Sequence, residues 1–335
     1  RPPRSTLFPY TTLFRSIFAK QLMKKYSIPT AKYEIFSDAD SARSYVRQEG
    51  APIVVKADGL AAGKGVIVAQ TVDEALDAID EIMTQKSFGA AGNRIVIEEF
   101  MNGEEASLLA FTDGRTVIPM IPSQDHKRVD DNDQGLNTGG MGSYAPAPIV
   151  DQTVLDKAVE KILKPTVEAM SKEGNPYRGC LYAGLMIVDG EPKVVEFNAR
   201  FGDPETQVVL PLLKSDLVEL MIACADGTLD QKTVEWSDES AVCVILASGG
   251  YPKSYKKGFE IDGLNKAKAL GALIFHAGTA LRDGKLITSG GRVLGVVTLD
   301  QNLRAAVDKN YKAVGVISFE GMHFRHDIAA RALKV

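Results

Sequence analysis

The spacing of apolar residues predicts short strands that alternate with amphipathic helices along most of the chain. Residues 17–27 repeat apolar side chains at helical spacing, and so do residues 71–83, which begin with a capping box made by Thr71 and Glu74. Residues 94–100 instead form a compact run of isoleucine and valine, which is typical of a buried strand. This mixture predicts an α+β (α/β) fold.

Two further runs rich in valine and isoleucine bracket a glycine-containing loop. They span residues 53–56 and 66–69 and predict a β-hairpin. With the strands and turns that follow, residues 51–120 predict a small β-rich lobe, of the kind that closes over a ligand as a lid.

The middle of the chain predicts one long loop, a divided helix and a strand pair. Residues 123–148 have almost no periodicity and predict a long loop, and loops of this length in a compact chain are often functional. Residues 151–172 predict a helix that Pro165 kinks or divides. A hairpin of two buried strands, 181–188 and 193–198, follows.

The C-terminal third predicts a separate lobe of sheet and helix. We expect strands at 241–248, 292–299 and 314–319 and a helix at 301–313. The chain is therefore expected to divide into a domain of residues 17–230 and a C-terminal α/β domain of residues 231–335.

Residues 1–16 differ in composition from the rest. They contain no acidic residue and are rich in arginine, proline, serine and threonine. A transit peptide is one interpretation. We favour an artefactual tail, because the bias stops abruptly where the first helical pattern begins.

Composition excludes several classes of protein. The net charge of -4 over 335 residues gives no basic field for nucleic acid or an anionic membrane. The three cysteines share no C-x-x-C spacing, which disfavours a zinc site or a disulfide framework and fits a reducing compartment. We expect a cytoplasmic monomer that acts on small molecules and binds neither nucleic acid nor membrane.

The glycine loop inside the first hairpin is a candidate phosphate site. Gly59, Gly63 and Gly65 let backbone N–H groups turn toward one point, and Lys56 and Lys64 add positive charge. The loop is not a Walker A motif, because its spacing is one residue short and a strand follows instead of a helix. The alternative is a tight turn with solvated lysines.

A second candidate site follows the strand at residues 193–198. Glu196 and Asn198 are two apart on a strand, so their side chains leave the same face and could hold magnesium together with phosphate oxygens. Arg200 could grip a phosphate or carboxylate. A cap or a polar surface rim is the alternative interpretation of the Glu–Asn pair.

Several motifs occur in an order that resembles one known family. KADGLAAGKGV, VIEEFMNGEEAS, SQDHKR, NTGGMG, YAGLM and EFNARFGDPETQ together resemble the phosphoribosylamine–glycine ligase family of ATP-grasp enzymes, and GGRVLGV resembles its C-terminal domain. The resemblance implies an ATP-grasp fold with a lid lobe. It also implies that ATP phosphorylates glycine and that the amine of 5-phosphoribosylamine attacks the glycyl phosphate, giving glycinamide ribonucleotide, ADP and phosphate in purine biosynthesis.

The resemblance also implies roles for individual residues. ATP would contact Lys56, Gly59, Gly63, Lys64, Gly65, Glu98, Glu99, Phe100 and Glu105, with the lysines on phosphates, residues 98–100 beside adenine and Glu105 on the ribose. Mg²⁺ or Mn²⁺ would be held by Glu196 and Asn198, and catalysis would fall to Arg200, Lys127 and Asp203. Glycine and phosphoribosylamine would contact Asp125, Thr138, Gly139, Gly140, Pro204, Glu205 and Thr206.

Two alternatives and one hypothesis accompany this interpretation. The chain could be another ATP-grasp carboxylate–amine ligase or a noncatalytic nucleotide-binding module. Nothing before residue 17 resembles the glycine-rich first domain of the family. We therefore hypothesise that this chain binds Mg-ATP but ligates poorly by itself.

Overall fold

The computed structural model describes residues 16–58 and 65–334. The tail predicted at residues 1–16 therefore lies outside the described residues, apart from Ser16. The strands are β1 (Tyr33–Phe36), β2 (Ile53–Ala57), β3 (Val66–Ala69), β4 (Ile95–Glu99), β5 (Glu104–Thr112), β6 (Val117–Pro119), β7 (Gln124–Asp125), β8 (Arg128–Asp130), β9 (Gln134–Asn137), β10 (Gly142–Ala145), β11 (Gly179–Val188), β12 (Glu191–Asn198), β13 (Ser240–Ser248), β14 (Leu273–His276), β15 (Thr279–Arg282), β16 (Lys285–Thr288), β17 (Arg292–Asp300) and β18 (Met322–His323).

The α-helices of the described residues are α1 (Ser16–Lys25), α2 (Ala39–Glu49), α3 (Val72–Ile79), α4 (Gln152–Ala158), α5 (Lys164–Lys172), α6 (Thr206–Val209), α7 (Leu217–Asp226), α8 (Leu264–Ala269) and α9 (Leu303–Val314). Wider π-helical turns occur at Asp80–Thr84 and Val159–Leu163, and 3₁₀ turns at Gly89–Asn93, Asp131–Asp133, Leu210–Leu212 and Leu229–Gln231. In the described part of the chain, none of the helices is long and apolar enough to cross a membrane.

The first sheet has the strand order β1-β4-β2-β3, with its core formed against α2 and α3. The predicted hairpin is confirmed, because β2 and β3 pair antiparallel from Ile53 opposite Ala69 to Lys56 opposite Val66. Thr71 caps α3 as predicted, accepting from the Glu74 N–H at 3.2 Å. The reciprocal bond differs from a standard capping box, since the Glu74 carboxylate accepts from the N–H before Thr71.

The second sheet has the order β12-β11-β5-β6. One face packs on α1, α4 and α5 through residues such as Leu108, Leu181 and Phe197. The predicted lobe of residues 51–120 needs correction, because β5 and β6 belong to this sheet rather than to the hairpin's sheet. The reason is long-range pairing: β5 runs alongside β11 from Thr112 to Glu104, which local pattern could not indicate.

The helix predicted at residues 151–172 forms with an interruption before Pro165. The π-helical turn Val159–Leu163 separates α4 from α5, and Pro165 lies in the first turn of α5. Since proline has no N–H to donate, the wider turn accommodates it without ending the helix.

The third sheet runs β14-β17-β13-β10-β7, and β18 also pairs with β13. Its core includes Tyr144, Val244 and Val296, packed against α9. The buried Asn310 on α9 donates to the carbonyls of two neighbouring strands at 2.9 Å each. This sheet joins strands from both sides of residue 230, and the domain division there stays a prediction.

Two predicted elements are wrong. Residues 123–148 are not one long loop but contain β7, β8, β9 and β10. β10 is buried on both faces and so lacks an alternating pattern. The strand predicted at 314–319 is absent from the described structure there, because α9 continues to Val314 and only Ser318 forms an isolated bridge.

Candidate active site

A buried cluster of two lysines and one glutamate lies where the first two sheets meet. Lys56 Nζ and Lys20 Nζ contact the same oxygen, Glu98 Oε2, at 3.0 and 2.9 Å. All three side chains are at most 10% exposed. Burial lowers the pKa of Lys20 to about 8, although Glu98 opposes that change.

Exposed apolar side chains share the sheet face that carries this cluster. Val66 lies directly opposite Lys56, and Val68 lies opposite Val54, which is itself opposite Glu98. Directly opposed residues point to the same face, and Val66 and Val68 are 41% and 45% exposed. Glu98 Oε1 is buried without a hydrogen-bond partner among the described residues. The face therefore offers apolar surface, positive charge and a free acceptor.

The predicted magnesium pair is on β12, next to the cluster. Lys56 Nζ donates to the carbonyl of Val195 at 3.3 Å. Glu196 and Asn198 do share a face, since Asn198 Nδ2 donates to Glu196 Oε1 at 3.1 Å. Their two side chains fit a magnesium ion that takes its other ligands from phosphates and water. Among the described residues no group of three or more His, Cys, Asp or Glu could hold a metal by itself.

Sheet register places further polar groups on that face. Ser107 lies opposite Gly184, which lies opposite Glu196, and Tyr182 lies opposite Asn198. This is the face away from α4 and α5. The same face of the second sheet packs α7 through residues such as Leu109 and Phe111 and carries these polar groups beside that contact.

Glu205 is buried at the back of this polar face. Its Oε1 accepts from Tyr182 Oη at 3.0 Å and from Ser107 Oγ at 3.2 Å, and only 4% of the residue is exposed. Burial raises the pKa of Tyr182 well above its usual value, and the negative charge of the Glu205 carboxylate is the next largest cause. Tyr182 is therefore a hydrogen-bond donor throughout the physiological pH range.

A charged group formed by Asp125, Lys127 and Glu105 lies beside this network. Lys127 Nζ contacts Glu105 Oε2. Burial opposes the charge on Lys127, but Asp125 and Glu105 raise its pKa well above the usual value. Burial raises the pKa of Asp125 to about 7. The positive charge of Lys127 lowers this pKa, but the nearby carboxylates of Glu205 and Glu105 raise it again and partly offset Lys127.

A third group joins two loops to the C-terminal sheet through Arg292. Its Nη1 donates to the Gly139 carbonyl at 2.6 Å, and its Nη2 bonds the Asp203 carboxylate at 2.7 Å. Gly140 has φ +108° and lies so close to Pro204 that an added Cβ would be 2.4 Å from Pro204 Cδ. The predicted substrate loops are thus packed on each other.

Short hydrogen bonds fix the remaining residues of these loops. Thr138 donates to the Lys127 carbonyl from both N and Oγ1, at 2.7 and 2.8 Å. Thr206 begins α6 and donates from Oγ1 to the Gly202 carbonyl at 2.5 Å.

Some predicted residues stand apart or cannot be placed. Arg200 is exposed and donates only to the neighbouring Phe201 carbonyl among the bonds of the described residues. Phe100 is exposed at the end of β4, and Glu99 accepts from the Lys32 N–H at 3.1 Å. The Gly65 carbonyl accepts from the Ala57 N–H and closes the hairpin. The predictions for Gly59, Gly63 and Lys64 fall outside the described residues.

Sequence reasoning missed Lys20, Ser107, Tyr182 and Arg292. The periodicity that predicted α1 treats Lys20 as a solvated position, yet it is 2% exposed. Tyr182 lies within YAGLM and Arg292 within GGRVLGV, two of the motifs that carried the resemblance. Those motifs could have identified both residues.

Comparison with known proteins identifies the class as ATP-grasp. The chain superposes on the biotin carboxylase–β-γ-ATP complex from Campylobacter jejuni with a TM-score of 0.70 and 13% identity, over 96% of this chain and 70% of that one, which concerns the fold alone. The family model for the phosphoribosylglycinamide synthetase ATP-grasp (A) domain matches residues 15–206, and that for its C domain matches residues 241–331. The chain belongs to the phosphoribosylglycinamide synthetase family.

Individual relatives agree with this assignment. The phosphoribosylamine–glycine ligase of Neisseria meningitidis serogroup A is 54% identical over 318 residues, covering 94% of this chain and 75% of the relative. The crystal structure of phosphoribosylamine–glycine ligase from Thermotoga maritima matches with a TM-score of 0.88 and 36% identity, over 96% of this chain and 80% of that one. The resemblance inferred from the motifs is confirmed.

Proposed function

We propose that this chain carries the site that ligates glycine to 5-phosphoribosylamine with ATP, forming glycinamide ribonucleotide, ADP and phosphate; the hypothesis of poor ligation by the chain alone concerns the rate of this reaction. The name and identity of the Neisseria relative support this reaction. The structural observation that supports the proposal most is the cluster of Lys20, Glu98 and Lys56. Lys56 also donates to the Val195 carbonyl on β12, so the cluster lies beside the strand that carries Glu196 and Asn198.

In this proposal the first sheet binds the nucleotide. Lys20 and Lys56 neutralise phosphate charge, and the face with Val66 and Val68 contacts the base. The free oxygen of Glu98 accepts from the exocyclic amino group of adenine. The glycine loop covers the phosphates, and the end of β4 with Glu99 and Phe100 borders the base. The Glu105 carboxylate accepts hydrogen bonds from the ribose hydroxyls.

The chemistry then needs alignment and charge neutralisation rather than a protein nucleophile. The γ-phosphoryl group passes to a carboxylate oxygen of glycine as ADP leaves; the amine nitrogen then attacks the acyl carbon, and phosphate leaves. Magnesium held by Glu196 and Asn198 would supply charge neutralisation between phosphates. Arg200 stabilises the transferring group, and Asp125 accepts the proton that the amine loses.

Lys127, Asp203 and the packed loops form the proposed substrate side. Lys127 and the loop Thr138–Gly140 lie on the same connection, and Pro204 lies against that loop, with Glu205 and Thr206 following it in the chain. We further propose a cytoplasmic monomer without a nucleic-acid partner; the net charge of -4 supports the last of these points.

The test is glycine-dependent phosphate release from Mg-ATP in the presence of freshly generated phosphoribosylamine. We expect Lys56→Met to abolish it, whereas Lys157→Met, which removes a surface pair with Glu191, keeps it. The proposal would be refuted if phosphate release did not depend on glycine, or if the two variants had equal activity.

A further inference from the structure

The hairpin of β8 and β9 is fastened to the C-terminal segment 323–331 by a buried arginine. Arg325 is only 1% exposed, and its Nε and Nη2 bond both oxygens of Asp327 at 2.7 Å. Its Nη1 donates to Asp133 Oδ1 at 2.8 Å and to the Arg128 carbonyl at 3.2 Å. One guanidinium therefore reaches both the beginning and the tip of the hairpin.

Other contacts between the hairpin and segment 323–331 are also polar. The Asn132 N–H donates to Asp327 Oδ2 at 2.8 Å, and the His326 N–H donates to Asp131 Oδ1 at 2.7 Å. Further bonds join His323 Nε2 to the Val129 carbonyl and Arg331 Nη2 to Asp133 Oδ2.

Apolar packing gives the hairpin little support. All four residues of β9 are exposed, and within β8 only Val129 is buried. Val129 belongs to a small cluster with Met141, Ala247 and Tyr251. Because so little apolar area is buried, the polar contacts with segment 323–331, in which Arg325 makes the most bonds, decide where the hairpin lies.

The base of the hairpin carries the substrate side of the candidate site. Lys127 precedes β8, and Thr138 follows β9 and is bonded to the Lys127 carbonyl. Gly139 and Gly140, which Arg292 contacts, come next. A displaced hairpin would therefore move Lys127 and this loop together.

We propose that segment 323–331 is a positioning element, in which Arg325 places Lys127 and the Thr138–Gly140 loop for glycine and phosphoribosylamine. The inference rests on the proposed function for its substrates. Arg325 touches no reacting atom in this scheme and acts through the hairpin. It belongs to a stretch of sequence that the nucleotide and metal sites do not use.

The test compares Arg325→Lys and Asp133→Asn with Arg43→Lys. Arg43 on α2 is a matched control, because it pairs with Asp40 on the same helix and with Asp80 after α3, away from the substrate loops. We expect both hairpin variants to raise the KM for glycine or phosphoribosylamine roughly tenfold or more, since small misplacements are costly in an active site. The dissociation constant for Mg-ATP should stay within about twofold of the parent value.

Amide hydrogen exchange provides a second readout. Residues 128–138 should exchange faster in both variants, while α9 keeps its protection. The double variant should lose less than the sum of the two single variants, because Arg325 and Asp133 share one bond. Asp133→Asn keeps the test decisive if Arg325→Lys does not fold.

Three outcomes would overturn the inference: unchanged exchange in residues 128–138, KM values equal to those of Arg43→Lys, or an equal loss of Mg-ATP affinity. Failure of the proposed function is separate, since it would show as a parent protein without glycine-dependent turnover. The exchange measurement then still decides whether Arg325 anchors the hairpin.

Discussion

Two residues in the candidate site, Lys20 and Asp125, have a pKa shifted close to neutral pH, to about 8 and about 7. Lys20 shares one carboxylate oxygen with Lys56 in a buried position, and Asp125 is surrounded by other carboxylates with one lysine among them. Such shifts cluster at functional sites, although structural ion pairs produce them as well. Each therefore supports a direct experiment.

Nucleotide affinity should fall as pH rises through about 8. The pKa of Lys20 is lowered to about 8, so the lysine is charged below that pH and neutral above it. Bound phosphate favours the charged form. Lys20→Met should weaken Mg-ATP binding by about tenfold to a hundredfold, the equivalent of a charge-assisted hydrogen bond, and should flatten the pH dependence.

Titration calorimetry of Mg-ATP at several pH values checks this prediction. Lys285→Met, which removes a surface pair with Glu260, serves as the control. Undiminished pH dependence in Lys20→Met would assign the effect to another group.

Ligation should depend on deprotonated Asp125. Since its pKa is raised to about 7, the carboxylate form grows as pH rises through that value, and kcat/KM should rise with it. Asp125→Asn should lower kcat by about a hundredfold or more and remove that limb of the pH profile. The substitution Asp156→Asn at an exposed position is the control. If the pH profile of Asp125→Asn keeps its rise near pH 7, Asp125 is excluded as the proton acceptor.

Among the elements of the candidate site, the contact between two loops leaves no room for a side chain at Gly140. Gly140→Ala would place a Cβ 2.4 Å from Pro204 Cδ at a φ of +108°. We expect it to lower kcat roughly tenfold or more, because the loops must separate. Gly179→Ala is the matched control, with φ +121° and nothing within 4 Å, and should cost only about 1–2 kcal/mol of backbone strain.

Steady-state kinetics and thermal unfolding of the two alanine variants check this expectation. If both variants lose activity equally, strain rather than the contact with Pro204 is responsible.

At the scale of the whole molecule, the C-terminal sheet contributes to the site through Arg292. Arg292→Lys cannot reproduce the forked bonds to Gly139 and Asp203. We expect kcat to fall roughly tenfold, with Mg-ATP affinity unchanged, because Lys20 and Lys56 lie on other elements. Arg304→Lys, whose guanidinium bonds only the Leu333 carbonyl among the described residues, is the control.

Kinetics with each substrate varied in turn will separate these effects. A parallel loss of nucleotide affinity in Arg292→Lys would show that the C-terminal sheet supports the entire site rather than its substrate side.

The sequence by itself determined the local elements and the chemistry of the motifs. β-branched runs predicted the hairpin of β2 and β3, and residue spacing placed Glu196 and Asn198 on one face. These features depend on neighbours within a few residues, which is the range where periodicity carries information. The motifs also led to the correct family.

Only the tertiary structure decided which distant segments meet. The pairing of β5 with β11, the placement of β10 in the C-terminal sheet and the burial of Lys20 against Glu98 all join residues far apart in the chain. Each depends on long-range packing that overrides local pattern, so β10 resembled a loop and Lys20 a surface residue. The hydrophobic pattern thus defined the pieces of the site, and the sheet registers decided how they come together.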